Sequence, residues 1–142
     1  KPLTLIAMAE YLFVYGTLRQ GANHPMHQQL IAHARFVAKA RYQALLYQVS
    51  YYPAAVPSDK ASAQVIGELY QLLQPELLLP LLDQYEECGE GFPQPQEYHR
   101  ELQQVMLESG ASVSAWVYVY NRDTSGLKLI TSGDFLLQDT AK

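Results

Sequence analysis

The sequence predicts an α+β fold, on three observations. Most patterned stretches either alternate apolar and polar residues or run apolar for the length of a strand, and only two short stretches change to a helical period. Hydrophobic residues make up 49% and charged residues 17% of the chain, the balance of a globular protein rather than a disordered one. A length of 142 residues suits one domain with its own core, and no repeat, linker or low-complexity tract divides it.

The first strand is Tyr11-Leu12-Phe13-Val14-Tyr15, short, aromatic and β-branched. It stops at Gly16, where glycine lets the backbone turn sharply and lets another group approach closely. A loop follows at Gln20-Gly21-Ala22-Asn23-His24-Pro25, then a short helix over 26–34 with Met26, Leu30 and Ile31 on one side. Residues 35–49 read as extended, because Phe36, Ala38, Ala40 and Tyr42 alternate with Val37, Lys39, Arg41 and Gln43. The prolines of Tyr51-Tyr52-Pro53-Ala54-Ala55-Val56-Pro57 keep that segment out of the centre of a sheet. Residues 58–63 read as a polar turn, and 64–73 as a strand with a glycine inside it.

The period then changes. Leu78, Leu81, Leu82 and Tyr85 fall on one helical face, and Pro75 suits a first turn. Pro80 costs about 3 kcal/mol in a helix interior, so the helix is expected to begin near Glu76 or Leu77, where Pro80 still falls among the free amides. Residues 88–96 form a loop rich in glycine and proline. Residues 97–108 alternate again, Ser109-Gly110-Ala111 reads as a hairpin turn, and 113–120 is apolar on both faces and so central in a sheet.

Composition removes several functions. The net charge is −4 with no basic run, which argues against nucleic-acid binding. No apolar run reaches transmembrane length, so no membrane partner is expected. Leu3-Thr4-Leu5-Ile6-Ala7 is too short for a signal-peptide core and lacks a convincing cleavage site. Met8-Ala9-Glu10 reads as a natural start, so the domain is expected over 8–142, with residues 1–7 a cloning remnant or an upstream extension. Cys88 stands alone, which leaves no internal disulfide and no cysteine metal cluster and fits a cytoplasmic protein. Eleven tyrosines suit strands and the wall of a pocket.

Four places carry residues with chemistry. They are the turn at Tyr15-Gly16-Thr17-Leu18, the segment Tyr51-Tyr52-Pro53, the helix end Asp83-Gln84-Tyr85-Glu86-Glu87, and Tyr98-His99-Arg100 with Tyr118 and Tyr120. One glycine makes neither phosphate-binding motif, yet the turn offers backbone N–H groups to a carboxylate or to a carbonyl oxygen gaining charge. Two carboxylates at a helix C-terminus oppose the helix dipole and repel each other, which raises a pKa toward the range of a general base. The bland alternative is two solvated glutamates leading into a loop. His24 and His27 lack a third ligand nearby, and Ser132 and Asp134 lack a paired histidine, so neither a metal site nor a triad is expected. Cys88 has no partner base. Arg100 either binds a carboxylate bidentately or pairs with a surface acid.

Taken in order, these segments resemble the gamma-glutamylcyclotransferase-like superfamily, which includes the plant avirulence-induced-gene-like proteins. The resemblance rests on Phe13-Val14-Tyr15-Gly16-Thr17-Leu18-Arg19, on Leu46-Tyr47 with Tyr52-Pro53-Ala54, and on Val65-Ile66-Gly67-Glu68-Leu69-Tyr70. It continues through Leu82-Asp83-Gln84-Tyr85-Glu86, Tyr98-His99-Arg100, Ala115-Trp116-Val117-Tyr118-Val119-Tyr120 and Ser132-Gly133-Asp134-Phe135. It implies a small mixed, mostly antiparallel β-barrel with short flanking helices and a cavity at one end. It also implies a γ-glutamyl substrate bound by the turn, with Glu86 as catalytic acid/base and Tyr15, Gly16, Thr17, Leu18, Tyr52 and Tyr118 as substrate-binding residues. No cofactor and no metal are implied.

The implied reaction is closure of a γ-glutamyl amine or peptide to 5-oxoproline with release of the amine. The leaving amine and the oligomeric state stay open. The alternative is a non-catalytic module that binds a small ligand on the same fold. The superfamily often has glycine after the glutamate, whereas this chain has Glu87-Cys88-Gly89 and a long loop to Tyr98, which makes Glu87 a second candidate base. Two structural expectations follow. The Gly16 turn and Glu86 border one cavity, and a side chain at residue 16 crowds the ligand or strains the turn.

Overall fold

The computed structural model describes residues 9–89 and 91–137. Five strands close a barrel in the order β1-β5-β2-β6-β7: β1 Tyr11–Val14, β2 Ala34–Tyr42, β5 Val65–Leu72, β6 Tyr98–Leu107 and β7 Ser112–Tyr120. All neighbours are antiparallel except β1 and β7, which run parallel with Leu12 opposite Trp116. A second sheet has β3, Ala44–Gln48, between β4, Pro53–Pro57, and β8, Lys128–Leu129. Two helices complete the fold, α1 over Met26–His33 and α2 over Pro75–Tyr85.

The apolar run at 11–15 is explained by two buried faces. Phe13 and Tyr15 pack with Tyr42, Val65, Leu69, Val105 and Val117 in one cluster, whereas Leu12 and Val14 pack with Leu30 of α1 and with Leu78 and Leu82 of α2 in another. β1 and β5 approach closely because Gly67 lacks a side chain. A Cβ there would fall 2.5 Å from the Phe13 ring. Pro53 and Pro57 lie at the ends of β4, an edge strand, as their missing amide donors require.

Three element expectations are corrected. The stretch 35–49 is two strands in two sheets, broken at Gln43. Ala40, Tyr42, Ala44 and Leu46 are all buried, so the alternation passes through the break without a change of phase. In α2 the inner face is Leu78, Leu79 and Leu82, while Leu81 is 41% exposed. That segment is so rich in leucine that a helical period fits more than one stripe. The helix also starts at Pro75, earlier than expected, and carries Pro80 within it on the solvent side. In α1, His27 and Leu30 face inward and Ile31 is exposed.

The exit from α2 decides where the following carboxylates lie. Glu86 caps the helix, with its amide donating to the Leu82 carbonyl at 2.8 Å. Glu87 then adopts φ 55°, its N–H donates to the Gln84 carbonyl at 3.1 Å, and the Cys88 N–H donates to Asp83 at 2.9 Å. This is the Schellman ending, whose left-handed residue is usually glycine. A glutamate occupies the position here, which gives a physical reason for glycine after the preceding glutamate.

Candidate active site

The ends of these elements meet around a cavity of about 220 Å³. Its wall takes Tyr15 to Leu18 from the end of β1, Tyr51 to Pro53 from the start of β4, and Tyr85 to Glu87 from the end of α2. Glu97 and Tyr98 at the start of β6 and Tyr118 in β7 complete it. Because β1 and β7 run parallel and β6 runs against them, these positions lie at one end of the barrel. Gly16 and Glu86 thus border one cavity although 70 residues separate them. Of the expected site residues, Tyr15, Gly16, Thr17, Leu18, Tyr52, Tyr118 and Glu86 all line it, and so does Glu87.

The turn after β1 is held by its carbonyls. The Arg19 N–H donates to Gly16 O at 3.0 Å, and His27 Nδ1 lies 2.8 Å from Leu18 O. Among the described residues nothing accepts from the amides of Gly16, Thr17 or Leu18. Three consecutive N–H donors in the cavity wall are therefore uncommitted, an arrangement that suits an anionic or polarised oxygen. Arg19 fixes the turn from behind. It is 6% exposed, donates from its Nη1 to Asp134 Oδ1 at 2.7 Å, and has its Nε 3.6 Å from Glu68. Glu68 also accepts from the Gln20 amide and the Tyr70 hydroxyl.

The space over Gly16 belongs to Pro53. A Cβ at residue 16 would lie 2.6 Å from Pro53 Cγ and 2.7 Å from its Cδ. To the expectation that a side chain there crowds the ligand or strains the turn the structure adds a nearer obstacle, a proline ring of the wall.

Glu86 carries the most distinctive electrostatics. It is half-buried, and burial, then the charges of Glu97 and Asp83, push its carboxyl up to about 8. Among the described residues none donates a hydrogen bond to it. Glu97 accepts from the Tyr52 hydroxyl at 2.6 Å, and Glu87 is exposed. The carboxylates that raise Glu86 are therefore Glu97 and Asp83 and not its sequence neighbour, contrary to the simple reading of a repelling Glu-Glu pair. Asp83, one turn before Glu86, behaves in the opposite way. Burial works to raise it, but hydrogen bonds from Arg100 Nε at 2.7 Å, from Arg100 Nη2 at 3.0 Å and from the Tyr118 hydroxyl at 2.7 Å hold it below its usual range.

The other tyrosines mostly build the wall. The Tyr15 hydroxyl donates to Tyr118 O at 2.6 Å and accepts from the Ala55 amide at 3.3 Å, and the Tyr98 hydroxyl donates to Pro53 O at 2.6 Å. Burial raises the phenols of Tyr15, Tyr98 and Tyr118, so they remain neutral donors. Tyr51 is 78% exposed and packs edge-on against Tyr52 with ring centroids 5.3 Å apart.

The sequence profile of the family described as Gamma-glutamyl cyclotransferase, AIG2-like matches residues 12–137. The chain belongs to this family. It is 39% identical to the gamma-glutamylcyclotransferase family protein YtfP of Escherichia coli over 131 residues, 90% of this chain and 97% of YtfP. An AIG2-like protein from Mus musculus superposes with a TM-score of 0.64 at 27% identity, over 87% of this chain and 86% of that one. YkqA of Bacillus subtilis superposes with a TM-score of 0.65 at 29% identity, over 89% of this chain but 39% of YkqA.

Within this gamma-glutamyl cyclotransferase family domain, several candidates take other places. Arg100 is spent on Asp83 and stacks over Trp116 at 4.4 Å, so it braces α2 against the barrel. Tyr120 packs edge-on with Tyr98 and does not line the cavity, and His99 is exposed. The Cys88 thiol is pushed up to about 12, first by burial and then by Asp83 and Glu86, which suits a packed side chain rather than a nucleophile. Asp134 serves Arg19, and the Ser132 hydroxyl accepts from the Asp134 amide at 3.1 Å and donates to the Asp134 carbonyl at 3.3 Å. Sequence reasoning missed Glu97 and the Arg19–Glu68–Asp134 cluster. Glu97 falls between the proline-rich loop and the Tyr98-His99-Arg100 segment and belongs to neither pattern, whereas the cluster had a signal, since each member lies inside a segment that carried the resemblance.

Proposed function

We propose that the cavity is an active site in which a γ-glutamyl amide closes to 5-oxoproline and releases its amine, with Glu86 as general acid/base. The observation that carries this reading is Glu86 itself. Its carboxyl is raised to about 8 and, among the described residues, is unpartnered, and it borders the same cavity as three backbone donors that no described residue engages. A peptide α-amino group titrates at about 7.7–8.0, and the free α-carboxylate of a γ-glutamyl group lifts its amine above that. A carboxyl raised to about 8 stands much nearer the substrate ammonium than an ordinary glutamate does, which brings the proton transfer closer to the matched condition of a general base.

The steps balance without any further reagent. Glu86 takes one proton from the α-ammonium, and the freed nitrogen pair attacks the γ-carbonyl carbon to close a five-membered ring. The carbonyl oxygen gains charge beside the amides of Gly16, Thr17 and Leu18. The ring nitrogen now carries two hydrogens and a positive charge; Glu86 gives its proton to the leaving nitrogen as the old C–N bond breaks, then takes the second proton from the ring nitrogen and passes it to the released amine, which leaves 5-oxoproline and an ammonium. The nucleophile is tethered, so holding the substrate folded is worth about 7–11 kcal/mol.

The leaving amine sits toward Tyr51, Tyr52, Glu87 and Glu97, the remaining part of the wall. Glu86, Glu87 and Glu97 line the cavity and no lysine or arginine does. We therefore take the leaving group to be an amine without a negative charge near its nitrogen. The deciding assay is release of 5-oxoproline, followed by mass spectrometry, from a panel of γ-glutamyl amines and peptides. Glu86→Gln is expected to lower turnover at least about 10²-fold while a bound γ-glutamyl amide loses little affinity. Full turnover by Glu86→Gln would remove the base, and no product from any conjugate would favour the non-catalytic binding module.

A further inference from the structure

His24 lies outside the cavity wall, yet it reaches the wall through two hydroxyl groups. Its Nε2 is 3.1 Å from the Tyr85 hydroxyl, and that hydroxyl is 2.9 Å from Thr17 Oγ1. The His24 and Tyr85 rings meet edge-on with centroids 5.2 Å apart. Tyr85 and Thr17 both line the cavity.

The direction of this chain is fixed at its far end. The Met26 amide, in the first turn of α1, donates to His24 Nδ1 at 3.0 Å. Nδ1 is therefore the acceptor nitrogen, and the proton of the neutral ring sits on Nε2. Nε2–H then donates to the Tyr85 oxygen, and the Tyr85 hydroxyl hydrogen has Thr17 Oγ1 as its one acceptor among the described residues. Run the other way, the chain would need Nε2 to accept while Nδ1 also accepts, which a ring carrying a proton does not permit. Thr17 Oγ1 accepts from Tyr85, so its own hydrogen is free, and among the described residues no second protein partner takes it.

We propose that His24 and Tyr85 are positioning residues which turn the Thr17 hydroxyl into a hydrogen-bond donor toward the γ-carbonyl oxygen of the substrate. The proposal rests on the cyclotransferase reading of the cavity. Thr17 then adds a hydroxyl donor to the three amide donors of its own turn, so the oxygen that gains charge meets donors only. Neither His24 nor Tyr85 exchanges a proton with the substrate. They fix which way one hydroxyl points.

The test is a double-mutant cycle with γ-glutamylethylamide as probe, reading kcat and KM for release of 5-oxoproline together with the melting temperature. Thr17→Val is expected to lower kcat at least about tenfold with little change in KM, and Thr17→Ser to restore most of it. His24→Phe and Tyr85→Phe, which keep the ring contact, are each expected to lower kcat about threefold in the parent and not at all in the Thr17→Val background. Equal losses in both backgrounds, or losses confined to the melting temperature, would overturn the relay. If the parent releases no 5-oxoproline, the cyclotransferase reading fails, and the same cycle is read on the Kd of γ-glutamylethylamide by calorimetry. Coupling in Kd would keep the relay as a binding device, and additive effects or no binding would end it.

Discussion

The raised carboxyl of Glu86 makes a prediction about stability that is independent of turnover. Glu86 titrates near 4.5 when the chain is unfolded and at about 8 when it is folded. Between those values the native state holds a proton that the unfolded state has lost, so stability falls as pH rises through that window. Below it both states are protonated and the group contributes nothing. Above it both are ionised and the full cost of holding a carboxylate beside Glu97 and Asp83 is present. One pKa unit corresponds to about 1.4 kcal/mol, which sets a ceiling of about 5 kcal/mol, and solvent reaching a half-buried group lowers this to on the order of 2–3 kcal/mol.

Glu86→Gln removes the titration and keeps the shape. Relative to the parent, the variant is expected to gain on the order of 2–3 kcal/mol between pH 5 and pH 9, read as a melting temperature difference that widens by about 5–15 °C. Urea denaturation at several pH values gives the same quantity directly. A difference that stays constant across the range, or that narrows as pH rises, would show that the fold does not raise Glu86 and would remove the physical basis for calling it the base.

Three further outcomes follow. Glu97→Gln removes the first charge that raises Glu86, so the acid limb of kcat/KM is expected to move to lower pH; Glu87→Gln is expected to leave the limb in place, and the reverse pattern would return the coupling to the adjacent pair. Glu87→Gly relieves a left-handed glutamate at φ 55° and is expected to stabilise the domain by about 1 kcal/mol in thermal or urea unfolding, whereas a loss would mean that the Glu87 side chain makes contacts worth more than the strain. Asp134→Ala leaves the buried Arg19 guanidinium with only the 3.6 Å approach of Glu68, and is expected to cost about 3–5 kcal/mol in urea unfolding, against under 1 kcal/mol if the pair were solvated.

Much of the fold was legible because its signals are local. The 3.6-residue period marked α2, alternation marked β2 and β6, and the glycine at residue 110, with φ 94°, marked the β6–β7 hairpin. What stayed hidden was any choice that leaves the local pattern unchanged. A strand that passes from one sheet to another keeps its alternation, and a leucine-rich helix offers several equivalent faces. At the site, the Tyr15–Leu18 turn and Glu86 were legible through their motifs, but their partners were not. Pro53 over Gly16, Glu97 beside Glu86 and His24 behind Tyr85 are long-range pairings, and only the closed barrel brings them together.

The end of α2 shows how one short segment both holds and works. Asp83 and Glu86 are three residues apart and so share a helix face, yet their environments drive them in opposite directions. Arg100 and Tyr118 keep Asp83 ionised and tie the helix to β6 and β7, while burial with two neighbouring charges raises the Glu86 carboxyl. The same ionised Asp83 is one of the charges that raises Glu86. Bracing the helix and tuning the candidate base are therefore a single arrangement. Two carboxyls whose values are pushed apart across one turn are the pattern that separates a structural acid from a working one. The Schellman ending then swings Glu87 toward solvent and tucks Cys88 inward. That leaves Glu86, without a hydrogen-bond partner among the described residues, in the wall of the same cavity as Gly16, Thr17 and Leu18.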